Sequence, residues 1–302
     1  MPSPGAHSPT AAPARATELR NVTFPPGPRT LSVQTAVANL RREPSHAAEL
    51  VSQLILGESV RVIEESRGWA RVAGSDGYAG WTHAGSLAPA DWPAGAPLLV
   101  WTRRAGVLRE GPEPDAAPLC DLVLGARAAA AASGRQAGAL PTVLLPGGSR
   151  GWAEAEGWVE ESARGSRYPR SASALVSTAL SLRGVPYLWG GSSSKAFDCS
   201  GFVQRAFGMH GIALPRDAWQ QAEVGDAIEA GEDGGGLAPA DLIFFAEDGT
   251  RVTHVAIALG EAGRIVHCST SRAGVGVNSL DPADPLYALP LARSAVAARR
   301  VF

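Results

Sequence analysis

A cysteine and the residues around it have the types and spacing for nucleophilic catalysis. Cys199 directly follows Asp198 in FDCSGFVQRAFG, where Asp198 is suited to cap a helix that begins at the cysteine. A thiol in the first turn of a helix meets the positive end of the helix dipole, which favours the thiolate. The thiolate is the form that attacks a carbonyl carbon. We therefore predict that Cys199 is a nucleophile, the alternative being a buried structural cysteine.

Two histidines are suited to serve this thiol. They lie in VTHVAIALG and RIVHCS, two strand-like runs on either side of the turn GEAG. A tight hairpin there places His254 and His267 directly opposite each other on one face. Ala256 and Ala258 share that face, and we expect such small side chains to let the helix of Cys199 approach closely. We assign His254 as the base that takes the thiol proton and His267 as the residue that orients it.

The elements around these residues follow an α+β order. Apolar residues between 175 and 182 have helical spacing, and Gly184 follows where a helix would end. A Gly/Ser-rich loop, the helix at Cys199 and the strand-like runs LIFFA, HVAIALG and RIVHCS come next. The polar segment 163–170 precedes all of them. We expect a catalytic domain over residues 166–302.

The first half of the chain contains an internal repeat. Residues 40–57 align without a gap with residues 108–125. Both copies run into Gly-Trp pairs; we match Gly80-Trp81 with Gly157-Trp158, and Gly68-Trp69 with Gly151-Trp152. Short alternating runs broken by Gly, Pro and Ser predict small all-β barrels. We expect an N-terminal extension over 1–30, a first barrel over 31–94, and a degenerate second barrel over 95–165 with an inserted loop in AAAAASGRQAGALPTVLLPGGSRG.

Composition limits the possible partners. The 302 residues include 27 basic and 29 acidic ones, and a net charge of −2 gives no electrostatic basis for binding nucleic acid or an anionic membrane. No apolar run approaches the roughly 18 residues of a membrane span. Three cysteines leave at least one thiol free, which favours a reducing compartment. The N-terminal segment lacks the pattern of a secretory signal, so we expect a cytoplasmic protein. Separately, we expect it to be a monomer.

Five ordered blocks carry a resemblance to a known family: YLWGGSSSKAFDCSGFVQRAF, LPRDAWQQ, PADLIFF, VTHVAIALG and RIVHCS. Over about residues 171–302 they resemble the NlpC/P60 family of cell-wall peptidases, and the two upstream modules resemble bacterial SH3 domains. The resemblance implies a papain-like catalytic domain with its triad on Cys199, His254 and His267, and no cofactor or metal. It also implies cleavage between γ-D-glutamate and the diamino acid of peptidoglycan stem peptides.

The tandem SH3-like modules make the chain similar to the γ-D-glutamyl-L-diamino acid endopeptidases (dipeptidyl-peptidase VI-like) that trim released muropeptides. In that subgroup an acidic residue before the cysteine and an upstream tyrosine bind the free N-terminal L-alanine; these correspond to Asp198 and Tyr187. The first SH3 module closes the pocket with a glutamate and a tyrosine, for which Glu43 and Tyr78 are candidates by position. Further substrate contacts are expected from Ser200, Arg216 and Asp217.

Two positions depart from the family pattern. Ala218 stands where many relatives have a hydroxyl group, so one substrate contact is expected to be missing. Ala240 in PADLIFF stands where a glycine is usual, and we expect this change to be harmless.

Three alternatives to a peptidase remain open at this point. In the first, SH3 domains dock wall peptide beside an inactive peptidase fold, which an intact Cys/His/His set opposes. In the second, Cys199, His254, His267 and Cys268 bind zinc, although adjacent His267 and Cys268 should point to opposite faces of a strand. In the third, the enzyme is an acyltransferase, because papain-like folds also run acyl transfer through a thioester, and only the products distinguish it.

Overall fold

The computed structural model describes residues 29–90, 92–131, 140–231, 233–261 and 263–302. The N-terminal extension predicted over residues 1–30 lies outside these ranges except for its last two residues. The described chain forms two all-β modules followed by an α+β domain. None of the helices within these ranges has the length and apolar character needed to cross a membrane.

The first module is a seven-stranded antiparallel sheet closed around a small apolar core. Alternating side chains of its strands, such as Val60 and Val62, point into that core. The strand order is β3-β2-β6-β5-β4-β1-β7. The strands are β1 (Thr30–Val33), β2 (Val37–Arg41), β3 (Leu50–Ile55), β4 (Ser59–Ser66), β5 (Trp69–Ala73), β6 (Ala79–His83) and β7 (Leu87–Ala88).

The second module repeats the first strand for strand, in the order β10-β9-β13-β12-β11-β8-β14. Its strands are β8 (Leu98–Trp101), β9 (Ala105–Arg109), β10 (Pro118–Val123), β11 (Arg127–Ala130), β12 (Thr142–Leu144), β13 (Arg150–Trp152) and β14 (Trp158–Glu160). The region predicted as an inserted loop therefore carries part of β11, all of β12 and the start of β13. Residues 132–139 of that region lie outside the described ranges. The second barrel thus keeps the topology of the first, and the prediction of an inserted loop is wrong where β12 lies.

The internal repeat is confirmed by equivalent contacts in the two modules. The Arg41 guanidinium donates to the carbonyl of Ala48 (2.6 Å), and the Arg109 guanidinium donates to the carbonyl of Ala116 (2.9 Å). The glycines that end the repeat, at 57 and 125, both have positive φ, of 81° and 88°. Glycine adopts this conformation without a steric penalty, which explains why both copies keep it.

The predicted matching of Gly-Trp pairs is wrong. Trp81 pairs across the sheet with Arg41, and the residue that pairs with Arg109 is Trp152. Gly80-Trp81 therefore corresponds to Gly151-Trp152, while Trp158 begins the final strand β14. Strand β12 has no Gly-Trp pair equivalent to the one at the start of β5. Matching the last pair of each module therefore aligns β6 with β14 instead of β13.

The two barrels share core residues. Ile55 and Leu56, at the end of β3, are fully buried in the apolar core of the second barrel. The N–H of Arg127 donates to the carbonyl of Leu56 (2.8 Å), which adds a backbone bond between the modules. The first barrel thus supplies part of the interior of the second.

The α+β domain has a six-stranded antiparallel sheet in the order β17-β22-β18-β19-β20-β21. Helix α3 packs on one face of this sheet, and residues of α5 pack on the other. The helices are α1 (Arg164–Arg167), α2 (Ala172–Ser181), α3 (Cys199–Met209), α4 (Ala218–Gln221) and α5 (Leu289–Ser294). The strands are β15 (Ser192–Ser193), β16 (Ala196–Phe197), β17 (Asp226–Ile228), β18 (Leu242–Phe245), β19 (His254–Ala258), β20 (Arg264–Ser269), β21 (Gly274–Ser279) and β22 (Ala295–Arg300).

The β19–β20 hairpin differs in register from the prediction. Ile257 pairs with Val266, two residues from the predicted alignment, so His254 and His267 are diagonal rather than direct neighbours. An even shift leaves both histidines on the same face. The expectation that α3 approaches over Ala256 and Ala258 is wrong, because α3 packs against the opposite face, where larger apolar side chains are buried.

One loop of the α+β domain binds both barrels. Ser192 Oγ donates to the carbonyl of Gln53 in the first barrel (2.7 Å), and Ser193 Oγ donates to the Gln53 side chain (3.0 Å). Ser194 Oγ accepts the N–H of Leu124 in the second barrel (3.0 Å). This loop lies between α2 and α3, so the barrels are fixed relative to the helix that begins at Cys199.

Candidate active site

The nucleophile candidate lies at the start of α3, as predicted. Asp198 caps the helix by accepting the N–H of Gly201 (2.7 Å). The Cys199 Sγ lies 3.9 Å from the carbonyl oxygen of Thr253, the residue immediately before His254. The thiol is therefore placed between the first turn of α3 and the first residue of β19.

The resting thiol is neutral, contrary to the expectation from the helix start. Burial and the negative charge of Asp198 raise the pKa of Cys199 to about 12, against the opposing effect of the N–H groups of Val255 and Ser200. Burial and the neighbouring His267 lower the pKa of His254 to about 3. Thiol and imidazole are then both uncharged at neutral pH, and the thiolate forms when the proton moves to the histidine.

A hydrogen-bond chain runs from His254 to an asparagine. His254 Nε2 lies 2.7 Å from His267 Nδ1, and His267 Nε2 lies 3.0 Å from Asn278 Oδ1. Asn278 Nδ2 donates to the carbonyl of Leu286 (3.1 Å), which fixes the orientation of the amide.

This chain determines the tautomers. Because Asn278 Oδ1 only accepts, His267 carries its proton on Nε2, and its Nδ1 accepts the Nε2–H of His254. His254 Nδ1 is then unprotonated and free to take the thiol proton. The orienting role predicted for His267 fits this geometry, and the role of His254 as the base stays a prediction. Asn278 was missed because no sequence signal marked β21 as part of the site.

Asp198 and Arg216 form a buried ion pair behind the nucleophile. Arg216, 2% exposed, donates to both carboxylate oxygens of Asp198, at 3.1 and 2.6 Å. Its Nη1 also donates to Ser200 Oγ (2.9 Å), and its Nε donates to Ser52 Oγ in the first barrel (2.9 Å). The Asp198 carboxylate also accepts the N–H of Gly190 (3.0 Å). The carboxylate is thus already bonded to donors of the protein itself.

Tyr187 lies beside the thiol. Burial, followed by electrostatic interaction with the titratable groups of Cys199 and Asp198, raises the pKa of its phenol to about 12. The phenol is half-buried and keeps its proton at neutral pH, so it is a hydrogen-bond donor next to the reacting atom. Its backbone N–H donates to the carbonyl of Ala273 (3.2 Å), which ties it to the β20–β21 turn.

Tyr78 of the first barrel reaches the catalytic domain. Its half-buried phenol lies against Asp217, and burial together with that carboxylate raises its pKa. Asp217 precedes α4, where its N–H donates to the side chain of Gln220 (3.2 Å). Barrel and catalytic domain therefore meet at two of the predicted substrate-binding residues.

The structure does not bring Glu43 to this site. Glu43 is exposed and makes no side-chain hydrogen bond or ion pair with the described residues. Of the two glutamates between β2 and β3, Glu49 reaches the catalytic domain: it accepts Trp189 Nε1 (3.0 Å) and pairs with Arg42 (2.7 Å). Both glutamates lie in the β2–β3 connection, and position alone did not show which one turns toward the catalytic domain.

The side chains of the zinc alternative are not gathered. Cys268 Sγ donates to the carbonyl of Phe197 (3.1 Å) and belongs to the core on the α3 face of the sheet, whereas both nitrogens of His267 are already bonded. Within the described ranges, no group of three or more His, Cys, Asp or Glu side chains is placed to hold a metal ion.

The fold and this arrangement of thiol, base and orienting groups define a cysteine peptidase. The NlpC/P60 family profile matches residues 184–287, and the profile for the bacterial dipeptidyl-peptidase Sh3 domain matches residues 40–87. Dipeptidyl-peptidase 6 of Lysinibacillus sphaericus is 31% identical over 275 residues, which cover 88% of this chain and 97% of that protein. The chain belongs to the NlpC/P60 family.

Two further comparisons agree with this assignment. The gamma-D-glutamyl-L-lysine dipeptidyl-peptidase of Bacillus cereus is 28% identical over 251 residues, which cover 78% of this chain and 72% of that protein. The crystal structure of an NlpC/P60 family protein from Bacillus cereus superposes with a TM-score of 0.76 at 23% identity, covering 90% of this chain and 99% of that one. The expected fold class is thereby confirmed, while the SH3 profile itself matches only the first module.

Proposed function

We propose that this enzyme hydrolyses the bond between γ-D-glutamate and the L-diamino acid in peptidoglycan stem peptides that have a free N-terminal L-alanine. Its role would be to trim released muropeptides for recycling, as a monomer in a reducing, cytoplasmic setting. The relatives named as gamma-D-glutamyl-L-lysine dipeptidyl-peptidase support the bond. The three free cysteines, Cys120, Cys199 and Cys268, suit the compartment.

The observation that carries the proposal is the contact of the first barrel with one end of the site. Tyr78 lies against Asp217, and Ser52 bonds Arg216 behind the nucleophile. The first barrel therefore blocks this end of the site, and the block fixes the distance between a bound peptide terminus and the thiol. It therefore favours a short peptide with a free end and excludes intact wall, in which the alanine nitrogen is acylated.

Charge at this end suits an ammonium group. Glu49 and Asp217 both act electrostatically on Arg42, so the two carboxylates lie in one neighbourhood, with Tyr78 between the barrel and the catalytic domain. We assign the α-ammonium of L-alanine to Glu49 and Asp217. Asp198 instead holds Arg216 and the start of α3, since it is buried and its oxygens already accept four hydrogen bonds from Gly190, Gly201 and Arg216. Glu49 differs in being exposed, and each of its oxygens accepts one hydrogen bond, from Arg42 or Trp189.

The mechanism follows from the proton positions. His254 Nδ1 takes the proton of Cys199, and the thiolate attacks the γ-carbonyl carbon of glutamate. We assign stabilisation of the developing oxyanion to the Cys199 N–H and the Tyr187 hydroxyl. The imidazolium, stabilised through His267, gives its proton to the departing amine. Water activated by His254 then hydrolyses the thioester and releases L-Ala-γ-D-Glu.

The test compares the stem tripeptide L-Ala-γ-D-Glu-meso-diaminopimelate with its N-acetylated form. We expect acetylation to lower kcat/KM by at least about 100-fold, because it removes the ammonium charge and adds bulk at a closed end. Cys199→Ala should abolish turnover of the free peptide. Equal cleavage of the two peptides would contradict the closed-end proposal. Mass spectrometry in the presence of an added amine separates hydrolysis from acyl transfer.

A further inference from the structure

A crevice at the edge of the catalytic sheet carries two arginines that the proposed mechanism does not use. It has a volume of about 680 Å³ and is lined by the end of α2 and by the β20–β21 turn with the start of β21. Arg183 and Arg272 lie on its two sides, both exposed, and no acidic residue lines it. Neither guanidinium forms an ion pair with the residues that the structure describes. The crevice is therefore positively charged.

Arg272 is folded back toward the catalytic face of the sheet. Its Nε would lie 2.8 Å from a Cβ atom at position 276, so only glycine leaves room for this placement of the side chain. Gly276 is the direct strand partner of His267, and their side-chain positions share one face. Burial lowers the pKa of His267, and the positive charge of Arg272 lowers it further, which shows that the guanidinium is within electrostatic reach of the triad.

The crevice lies away from the end of the site that the first barrel closes. None of its lining residues belongs to either barrel, whereas Tyr78 and Ser52 of the first barrel contact Asp217 and Arg216. Under the proposed function, the L-Ala-γ-D-Glu half of the substrate occupies that closed end. The leaving diamino acid then extends past His254, toward the turn that carries Arg272.

We propose that Arg272 and Arg183 form a subsite for the carboxylates of the leaving diamino acid and select meso-diaminopimelate over lysine. This inference rests on the proposed function. A guanidinium binds a carboxylate through two parallel hydrogen bonds, which gives strength and orientation. A meso-diaminopimelate residue at the peptide end carries two carboxylates, one for each arginine. A lysine residue there keeps the terminal ammonium of meso-diaminopimelate but lacks the second carboxylate, so one arginine has no partner and the leaving group is one charge unit more positive beside a positively charged crevice.

The experiment measures kcat/KM for L-Ala-γ-D-Glu-L-Lys as the free acid and as the C-terminal amide, which differ by a single carboxylate. In the wild type we expect the amide to be cleaved roughly 10- to 100-fold less efficiently, the effect of losing charge-assisted hydrogen bonds. Arg272→Gln should lower cleavage of the acid to the level of the amide and leave the amide unchanged. Arg272→Lys keeps the positive charge but not the two parallel donors of the guanidinium, and it should give an intermediate acid-to-amide ratio of kcat/KM.

A second arm compares the meso-diaminopimelate and lysine peptides. The wild type should prefer meso-diaminopimelate, and Arg183→Gln should remove that preference. Arg293→Gln is the charge-matched control, because Arg293 is exposed on α5 outside the crevice, and it should keep the wild-type ratios.

Two results would overturn the subsite. One is an Arg272→Gln variant that loses equal activity on acid and amide, which would leave the proposed function intact. The other is a wild type that shows no preference between the diamino acids. Failure of the wild type to cleave any of these peptides would instead overturn the proposed function and the subsite with it.

Discussion

Ser52 in the first barrel accepts a 2.9 Å hydrogen bond from Nε of Arg216 in the catalytic domain, and both side chains are buried. Arg216 in turn holds Asp198, which caps the helix that begins at Cys199. A side chain of the SH3-like module is therefore two contacts away from the residue that orients the nucleophile.

Ser52→Ala should lower stability and activity together. It leaves the Nε–H of a buried guanidinium without a partner, which costs about 1–3 kcal/mol. We expect that loss in the free energy of unfolding, measured by urea denaturation, and a several-fold fall in kcat/KM. Ser32→Ala is the matched control, because Ser32 is a buried serine of the same barrel whose Oγ has no hydrogen-bond partner among the described residues. Equal effects of the two substitutions would contradict the link to Arg216.

Asn278→Ala should lower kcat with little change in KM. The substitution removes the acceptor that fixes the proton of His267 on Nε2, so His254 loses its oriented tautomer. General-base catalysis typically contributes about 10²–10⁴-fold, and we expect roughly a tenth to a hundredth of wild-type kcat. Asn278→Asp keeps an acceptor oxygen and should retain more activity than Asn278→Ala. A higher KM with an unchanged kcat would contradict the tautomer assignment.

Alkylation of Cys199 should report a neutral thiol in the free enzyme. With the pKa of Cys199 at about 12 and that of His254 at about 3, neither group changes charge between pH 5 and pH 10. The thiolate fraction, and with it the iodoacetamide rate, should rise about tenfold per pH unit across pH 7–10. Cys199→Ala supplies the background from Cys120 and Cys268. A flat rate from pH 5 to pH 8 would instead indicate a preformed thiolate–imidazolium pair.

Ala240→Gly should be unusually well tolerated. Ala240 has φ of 69°, a left-handed conformation that costs a residue with a Cβ about 1–2 kcal/mol relative to glycine. The sequence did not reveal this strain, and the expectation that alanine is harmless here stays a prediction that the substitution tests. Ala246→Gly is the control, a buried alanine that is not among the residues with positive φ. We expect Ala240→Gly to be more stable than Ala246→Gly by about 1–2 kcal/mol in urea denaturation; equal loss would contradict the strain.

Glu49→Gln and Glu43→Gln separate the two candidates for ammonium recognition. Glu49→Gln should raise KM for the free stem peptide roughly tenfold, since it removes a charge beside the proposed alanine pocket. Glu43→Gln should leave KM unchanged, because Glu43 is exposed and outside the site. The reverse result would restore the assignment made from position alone.

The positions of the candidate triad could be predicted from the sequence because its signals are local. An aspartate before a cysteine at a helix start, and two histidines on a short hairpin, define faces and elements without knowledge of the fold. The register was two residues off, since nothing in GEAG sets the length of the hairpin loop, yet an even error preserves the face. The sequence did misjudge which face of the sheet α3 covers, because α3 packs on the face that carries the larger apolar side chains.

The remaining residues of the site depend on contacts distant in the chain. Asn278 is on a strand that the sequence did not mark. Ser52 is 164 residues from Arg216 in the chain, and the whole second barrel lies between them. The neutral thiol is likewise a property of the assembled site: the helix start favours the thiolate, while burial and Asp198 outweigh it. Contacts and electrostatic effects between residues far apart in the chain cannot be predicted from local residue types and their spacing.

The burial of Ile55 and Leu56 within the second barrel has an evolutionary consequence. A gene fusion that carried only one of the two barrels would expose apolar surface on one and leave a hole in the other. The two barrels are therefore inherited as one unit, and chimeras between relatives should exchange both barrels at once.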